Sequence, residues 1–164
     1  MREVLELNEP TQRISIRALT LWRIHGVINA AVVALAAIGI GLLTYFFEWS
    51  MWPFIIISII LALEIIFYIF VIPTLRWKRW RYEVREQEIE LQYGLFIIKR
   101  TLVPMVRVQH VDTEQGPLLR KYRLATISIS TAATTHKVPA LDEVEAEELR
   151  HSISSLARVA EEDV

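Results

Sequence analysis

The sequence predicts a membrane α-hairpin followed by a mostly β domain that ends in one helix. Three observations support this fold class. Two apolar runs of about 21 residues come first, short alternating segments follow them, and an amphipathic helical pattern closes the chain. The predicted organisation is an N-terminal segment over residues 1–21, a transmembrane hairpin over residues 22–73 and a β domain over residues 74–164.

The composition is unevenly distributed along the chain. The 164 residues are 53% hydrophobic, and the mean hydropathy is +0.33, with the apolar excess concentrated over residues 27–72. A formal net charge of −1 favours neither a nucleic-acid partner nor a strongly acidic ligand. The absence of cysteine excludes disulfides, thiol nucleophiles and cysteine-based zinc sites.

The two apolar runs have the length of membrane spans. Residues 27–47 include no charged side chain, with Asn29 and Thr44 as the clearly polar ones, and residues 51–72 are interrupted by Glu64. Each run corresponds to about 31 Å of helix, which matches the hydrocarbon thickness of a bilayer. Because only residues 48–50 connect the runs, we expect an antiparallel hairpin with both chain ends on one side.

Basic residues flank the hairpin on its chain-terminal sides and are absent from its connection. The positive-inside rule therefore predicts a multi-pass protein of the cell membrane with both termini in the cytoplasm. The tryptophans all lie near predicted interfaces, where an indole ring is favoured. The basic residues are Arg2, Arg13, Arg17 and Arg23 before the hairpin and Arg76, Lys78, Arg79 and Arg81 after it; the tryptophans are Trp22, Trp49, Trp52, Trp77 and Trp80.

Small residues recur along the first predicted helix at spacings of four, four, three and four, which places them on one helix face. Small side chains allow helices to approach closely in lipid. Two partners for this face remain open, the second helix of the hairpin or a helix of another subunit. The residues are Gly26, Ala30, Ala34, Ala37 and Gly41.

Glu64 is the one charged residue deep within either predicted span. A carboxylate in hydrocarbon is costly and usually faces a polar partner or water. His25 and Asn29 lie toward the same end of the first helix, so they are candidate partners, and a polar group on another subunit is the alternative. A proton relay would need a second acidic residue in the spans, so we expect Glu64 and Asn29 to serve structure or assembly.

Short alternating segments follow the hairpin and predict antiparallel strands joined by short turns. Alternation is clearest where Ile127 and Ile129 interleave with Ser128 and Ser130. The predicted strands cover residues 82–85, 89–92, 95–102, 106–114, 125–131 and 136–138.

One amphipathic helix is predicted at the end of the chain. Asp142 followed by Glu145 fits a variant of the capping box. The apolar stripe of this helix must pack on the sheets, for which an open end of a bent sheet is the natural place. The stripe consists of Leu149, Ile153, Leu156 and Ala160.

Five short motifs occur in order behind the hairpin, and with it they resemble the bacterial pleckstrin-homology-like (PH-like) family of membrane-flanked domains, the YdbS-like proteins. The sequence departs from the family pattern at Tyr122-Arg123, where we expect an aromatic residue followed by glycine. This difference affects the prediction of the local turn and not that of the fold. The motifs are Trp80-x-Tyr82-x-Val84, Glu88-Ile89-x-Leu91-x-x-Gly94, Val103-Pro104-x-x-Arg107-Val108-Gln109-x-Val111, Gln115-Gly116-Pro117-Leu118-x-Arg120 and Leu124-Ala125-x-Ile127-x-Ile129-x-Thr131-Ala132.

The resemblance implies a PH-like sandwich or barrel, in which two nearly orthogonal antiparallel sheets are closed at one end by the C-terminal helix. It also implies a membrane protein without an established enzymatic activity. YdbS-like proteins are commonly encoded beside a larger membrane protein that carries several copies of the same domain. The resemblance therefore suggests an assembly with such a partner or with a second copy of this chain.

The sequence offers no positive case for an enzyme, a cofactor or a metal site. None of the four histidines stands at a recognised metal-ligand spacing, and nucleophile-elbow, phosphate-loop and dinucleotide motifs are absent from the sequence. The histidines are His25, His110, His136 and His151.

Basic residues directly after the second span suggest an interaction with anionic lipid at the inner face of the membrane, or they only set topology. The cluster consists of Arg76, Lys78, Arg79 and Arg81, and Lys99-Arg100 and Arg120-Lys121-Arg123 add basic positions that we expect in loops.

The second candidate surface is the polar motif that carries part of the resemblance. Arg107 and Gln109 are two apart, so in a strand they would share one face, and a turn at Gly116-Pro117 would hold Arg120 near them. We expect either a protein- or peptide-binding surface or internal bracing of the junction between strand and turn. The residues are Arg107, Gln109, Gln115, Gly116, Pro117 and Arg120.

Overall fold

The computed structural model describes residues 10–48 and 50–162 and divides them into two compact units. One unit holds the residues up to Ala18 together with those from Arg76 onward, and the other is Leu19–Leu75. Arg2 and Trp49, which we predicted to flank the hairpin, lie outside the described residues.

Two long helices account for the apolar half of the chain. Helix α1 is Arg17–Phe46, and α2, Trp52–Ile66, continues through a π-helical turn at Phe67–Val71 into α3, Ile72–Arg79. Both are long and apolar enough to cross a membrane, and almost none of their most apolar stretch is buried within the protein. Helices with such exposed apolar side chains are stable in lipid and not in water, which agrees with the membrane spans that the sequence predicts.

Small residues of α1 pack against the second helix within the hairpin. A Cβ atom at Gly26 would lie 3.2 Å from the side chain of Ile69, and one at Gly41 would lie 2.8 Å from the ring of Phe54. A Cβ at Gly39, on another face, would meet nothing within 4 Å. At Gly26 and Gly41 the contacts therefore favour packing within the hairpin over packing against another subunit.

The β domain contains two antiparallel sheets. They do not join into a closed barrel, so of the two predicted forms the sandwich fits. The four-stranded sheet has the order β1 Gln12–Arg13, β2 Arg81–Val84, β3 Glu88–Tyr93 and β4 Lys99–Pro104; the three-stranded sheet has the order β5 Val108–Glu114, β6 Leu124–Thr131 and β7 Thr135–Asp142.

The C-terminal helix α5, Glu143–Glu162, packs on the three-stranded sheet and on the 3₁₀ turn at Met105–Arg107. Of the predicted apolar stripe, Leu149 and Ile153 are buried, while Leu156 and Ala160 are half-buried; Ala146, one turn earlier, is buried as well. Asp142 directly precedes the helix, while Glu145 accepts a hydrogen bond of 2.7 Å from the Tyr82 hydroxyl on β2. Burial, and then the Glu145 carboxylate, raise the pKa of Tyr82, so this hydroxyl stays protonated.

The N-terminal segment completes the β domain, which the sequence did not reveal. Gln12–Arg13 pairs with β2, and the side chain of Ile14 is only 2% exposed. The Ser15 amide donates to the Ala140 carbonyl of β7 at 3.2 Å, so this segment contacts both sheets. The Trp77 indole N–H also donates to the Ile14 carbonyl at 3.2 Å, which fixes the segment to the end of α3.

Two predicted strands begin later than expected. The strand predicted over residues 95–102 is Lys99–Pro104, because Gly94 has a φ of +134° and turns the chain before it. The strand predicted over residues 106–114 begins at Val108, because Met105–Arg107 forms a 3₁₀ turn directly after Pro104.

Two single residues also correct the sequence analysis. Trp80 is not an exposed interface anchor, because it is buried in the β domain and stacks on Tyr93 with ring centroids 6.0 Å apart. At the departure from the family pattern, Arg123 has a φ of +53°, a conformation in which glycine is unstrained. The expected turn therefore forms with arginine in the position of the glycine.

We predict that Ile14→Ala destabilises the β domain by about 2–5 kcal/mol, because it removes most of a fully buried side chain and leaves a cavity. The matched control is Ile16→Ala, since Ile16 is 65% exposed and belongs to the same segment. The measurement is urea unfolding of the full chain in mild detergent, followed by its tryptophan fluorescence, to which the buried Trp80 contributes. Equal stabilities of the two variants would contradict the place of Ile14 in the core.

Candidate functional site

The predicted polar motif is divided between the two ends of strand β5. Arg107 lies in the 3₁₀ turn before the strand, and Gln109 lies at a β-bulge between Val108 and His110. The expectation that Arg107 and Gln109 share a strand face is therefore wrong. From Gln109 to Gln115 the strand spans about 20 Å, so the two halves of the motif do not form one surface.

The second half of the motif braces the fold. Gln115 donates from its side-chain amide to the carbonyl of the buried Leu124 at 3.0 Å. Gly116 and Pro117 begin the short helix α4, Pro117–Lys121, and the Arg120 amide donates to the Gly116 carbonyl at 2.9 Å. Of the two interpretations of this half, internal bracing fits Gln115, while the side chains of Arg107 and Arg120 are exposed.

A network of charged side chains covers the four-stranded sheet around the buried Glu90. Arg100 contacts the Glu90 carboxylate at 2.6 Å, and Arg85 contacts it at 3.3 Å. Arg85 also pairs with Glu83 and Glu88. Arg100 therefore belongs to strand β4 and to this network, and not to the basic loop that we expected at Lys99-Arg100.

A groove of about 520 Å³ opens beside the aromatic pair of Trp80 and Tyr93. Its polar wall includes Glu114, which pairs with Lys137 at 2.8 Å and accepts a hydrogen bond of 2.8 Å from Ser128. The hydrogen bonds from Lys137 and then from Ser128 lower the pKa of Glu114, so this carboxylate stays ionised. The negative charge of Glu114 and the positive charge of Lys137 then largely cancel.

The predicted basic cluster is only partly available to a ligand. Arg76, Lys78 and Arg79 occupy the last turn of α3, a position that the helix dipole favours for cations. Arg79 donates to the backbone carbonyl of Leu95, so it serves the β domain itself. Lys78 is exposed, and Arg81 is half-buried at the start of β2.

Asn29 and Glu64 line the same open cavity, of about 180 Å³, between the two helices of the hairpin. Both side chains are exposed, and neither has a hydrogen-bond partner in the described part of the chain. Of the two alternatives for Glu64, the bond to Asn29 or His25 does not form among the described residues, and His25 pairs through its Nδ1 with the Leu21 carbonyl at 2.9 Å. The hairpin thus presents two polar groups at one cavity, without a hydrogen-bond partner among the described residues.

Two membrane-length helices joined to a two-sheet sandwich with a C-terminal helix define a membrane protein with a PH-like domain. Residues 15–157 match the family described as "Bacterial PH domain", and this match includes the hairpin as well as the sheets. The chain belongs to this bacterial PH domain family, in its YdbS-like branch, as the sequence motifs indicate.

Two relatives come from Bacillus subtilis (strain 168). The chain is 51% identical to the UPF0699 transmembrane protein YdbS over 156 residues, which cover 95% of this chain and 98% of that protein. It is 26% identical to the UPF0699 transmembrane protein YdbT over 73 residues, which cover 44% of this chain and 15% of that protein. Neither relative is named as an enzyme. No solved structure matched the chain.

We predict that Gln115→Ala destabilises the protein by about 1 kcal/mol, since it removes the hydrogen bond to a buried carbonyl. Arg107→Ala serves as the control and should change the stability by less than about 0.5 kcal/mol, because its side chain is exposed. Both values come from unfolding of the full chain in mild detergent. A Gln115 variant as stable as the wild type would argue against the bracing role.

Proposed function

We propose that this protein is a membrane-anchored, non-enzymatic scaffold subunit that assembles with other membrane helices through its hairpin. The observation that carries this proposal is the pair of exposed polar groups, Asn29 and Glu64, at one cavity of an otherwise apolar hairpin. A further helix with a polar side chain would satisfy both groups and would exclude lipid from the cavity.

The energetics of the bilayer favour such a partner. A carboxylate near the middle of a membrane helix costs about 2.5–3.5 kcal/mol on insertion scales. A hydrogen bond between membrane helices returns about 0.6–1.7 kcal/mol, so assembly offsets part of this cost. In addition, a π-helical turn begins at Phe67, three residues after Glu64, and such turns are frequent at functional sites.

The partner is a second copy of this chain or a larger membrane protein with several PH-like domains. The similarity to YdbT supports the second choice, since the 73 matched residues are only 15% of that transmembrane protein, which is therefore much longer than this chain. Two proteins with related domains could associate through those domains as well as through their helices.

The proposed orientation places both termini and the β domain in the cytoplasm. Support comes from the basic residues, since Arg13, Arg17 and Arg23 precede the apolar run of residues 27–47 and Arg76, Lys78 and Arg79 follow the second run, while residues 48–50 carry none.

The prediction for the assembly role concerns Glu64. Replacing it by Leu should weaken association by roughly tenfold, because the interhelical hydrogen bond is lost while the hairpin itself becomes more apolar and stays inserted. Glu64→Gln should retain most of the association, because an amide still forms hydrogen bonds. The measurement is the mass of the complex in mild detergent, with affinity capture from native membranes.

The control for this experiment is Leu63→Ala, which changes the neighbouring side chain, 63% exposed, without touching a polar group. A wild-type chain that is monomeric and captures no membrane protein would refute the scaffold proposal. If the Glu64→Leu variant assembles as well as the wild type, the interface does not include Glu64, which contradicts the proposed role of this cavity.

A second candidate function is the sensing of anionic lipid at the inner membrane face. The exposed Lys78 in the last turn of α3 favours it, since each cation near an anionic surface contributes about 1 kcal/mol. The hydrogen bond from Arg79 to the Leu95 carbonyl argues against lipid sensing, because this guanidinium already has a partner within the protein.

Lipid sensing predicts that phosphatidylglycerol raises the thermal midpoint of the full chain in neutral detergent more than phosphatidylcholine does. Lys78→Gln should reduce this difference, whereas Lys121→Gln, at an exposed position on α4, should leave it unchanged. Equal midpoints in the two lipids would remove this candidate.

A further inference from the structure

The loop between β3 and β4 exposes an unusual run of large apolar side chains. Phe96 is 78% exposed, Ile97 is 76% exposed and Ile98 is 50% exposed. The sequence suggested a strand here, in which alternate side chains would be buried. The structure instead presents all three to the surroundings, and such a patch marks an interaction site with a protein or a membrane.

The shape of this loop is fixed at its base. Gly94 has a φ of +134°, and a Cβ atom at this position would collide with the carbonyl oxygen of Ile97. Only glycine therefore allows the tight turn that lifts the apolar residues away from the sheet. The protein keeps these side chains together at a defined place.

The loop is attached to the end of the second membrane helix. Arg79, the last residue of α3, donates a hydrogen bond from its guanidinium to the carbonyl of Leu95. Arg79 and Leu95 belong to the same compact unit, so this bond fixes the loop to the last turn of that helix.

The charges around the loop fit a membrane surface. Lys99 follows the apolar residues directly and is exposed, and Lys78 is exposed in the last turn of α3. Apolar side chains bordered by cations are the arrangement that enters an anionic lipid interface, with the chains below the headgroups and the cations among them.

We propose that residues 95–98 form a membrane-inserting loop, which dips into the interfacial layer of the bilayer that the chain's own helices span. The loop would act as a third attachment point and would restrict the tilt of the β domain on the membrane. This role is independent of whether the hairpin assembles with another protein.

The test uses the absence of cysteine from the chain. Single cysteines at Phe96 and Ile97 carry a nitroxide label in the full chain, reconstituted in phosphatidylethanolamine and phosphatidylglycerol vesicles. Spin relaxation by oxygen, which concentrates in lipid, and by a water-soluble nickel complex reports the surroundings of each label. Leu35→Cys, in α1, is the lipid control, and Val144→Cys, 72% exposed on α5, is the water control.

We expect the labels at 96 and 97 to resemble the one at Leu35, with an oxygen-to-nickel ratio several-fold above that at Val144. A ratio equal to that at Val144 would overturn the proposal, since the loop would then lie in water. Low accessibility to both reagents would overturn it as well, because the loop would then be covered by a protein, such as a second copy of the chain. None of the four substitutions removes a buried side chain, so we expect all four variants to fold.

Discussion

The short connection between two apolar helices is the constraint on which the rest of the fold depends. The two helices run antiparallel, with Gly26 beside Ile69 and Gly41 beside Phe54, so the residues before α1 and those after α3 are available to one domain. The structure uses this directly, because Gln12–Arg13 pairs with Arg81 and Tyr82, and Ile14 enters the core. The β domain is therefore built from both flanks of the hairpin, and the N-terminal segment is part of it.

The sequence predicted the hairpin from two long apolar runs, the antiparallel strands from alternation and the C-terminal helix from its apolar stripe, whereas the two-sheet arrangement was what the family resemblance implied. Strand β1 gave no such signal, since two residues are too few to show alternation and their pairing is set by tertiary contacts. The error at residues 95–98 has a related cause: an apolar run resembles a buried strand in any reading based on hydrophobicity alone. Gly94 was the signal that a turn intervenes, and its positive φ confirms this.

The candidate sites were predicted less well, and for a physical reason. Sequence spacing placed Arg107 and Gln109 on one face, but a 3₁₀ turn and a bulge changed the direction of both. Hydrogen bonds to the backbone, such as that from Gln115 to Leu124, leave no pattern in a sequence. Glu64 stands out in the sequence because its environment, an apolar span, is itself visible in the composition. That no described residue forms a hydrogen bond with its side chain is visible only in three dimensions.

The pairing of β1 with β2 also sets an order for folding during synthesis. Gln12 leaves the ribosome long before Tyr82, and the two are separated by both membrane helices. The first strand must therefore wait, unpaired, until both helices and the chain beyond them have emerged. The whole hairpin is thus synthesised before the sandwich can be completed, and a chain cut short within its second helix lacks the partner strand of Gln12–Arg13.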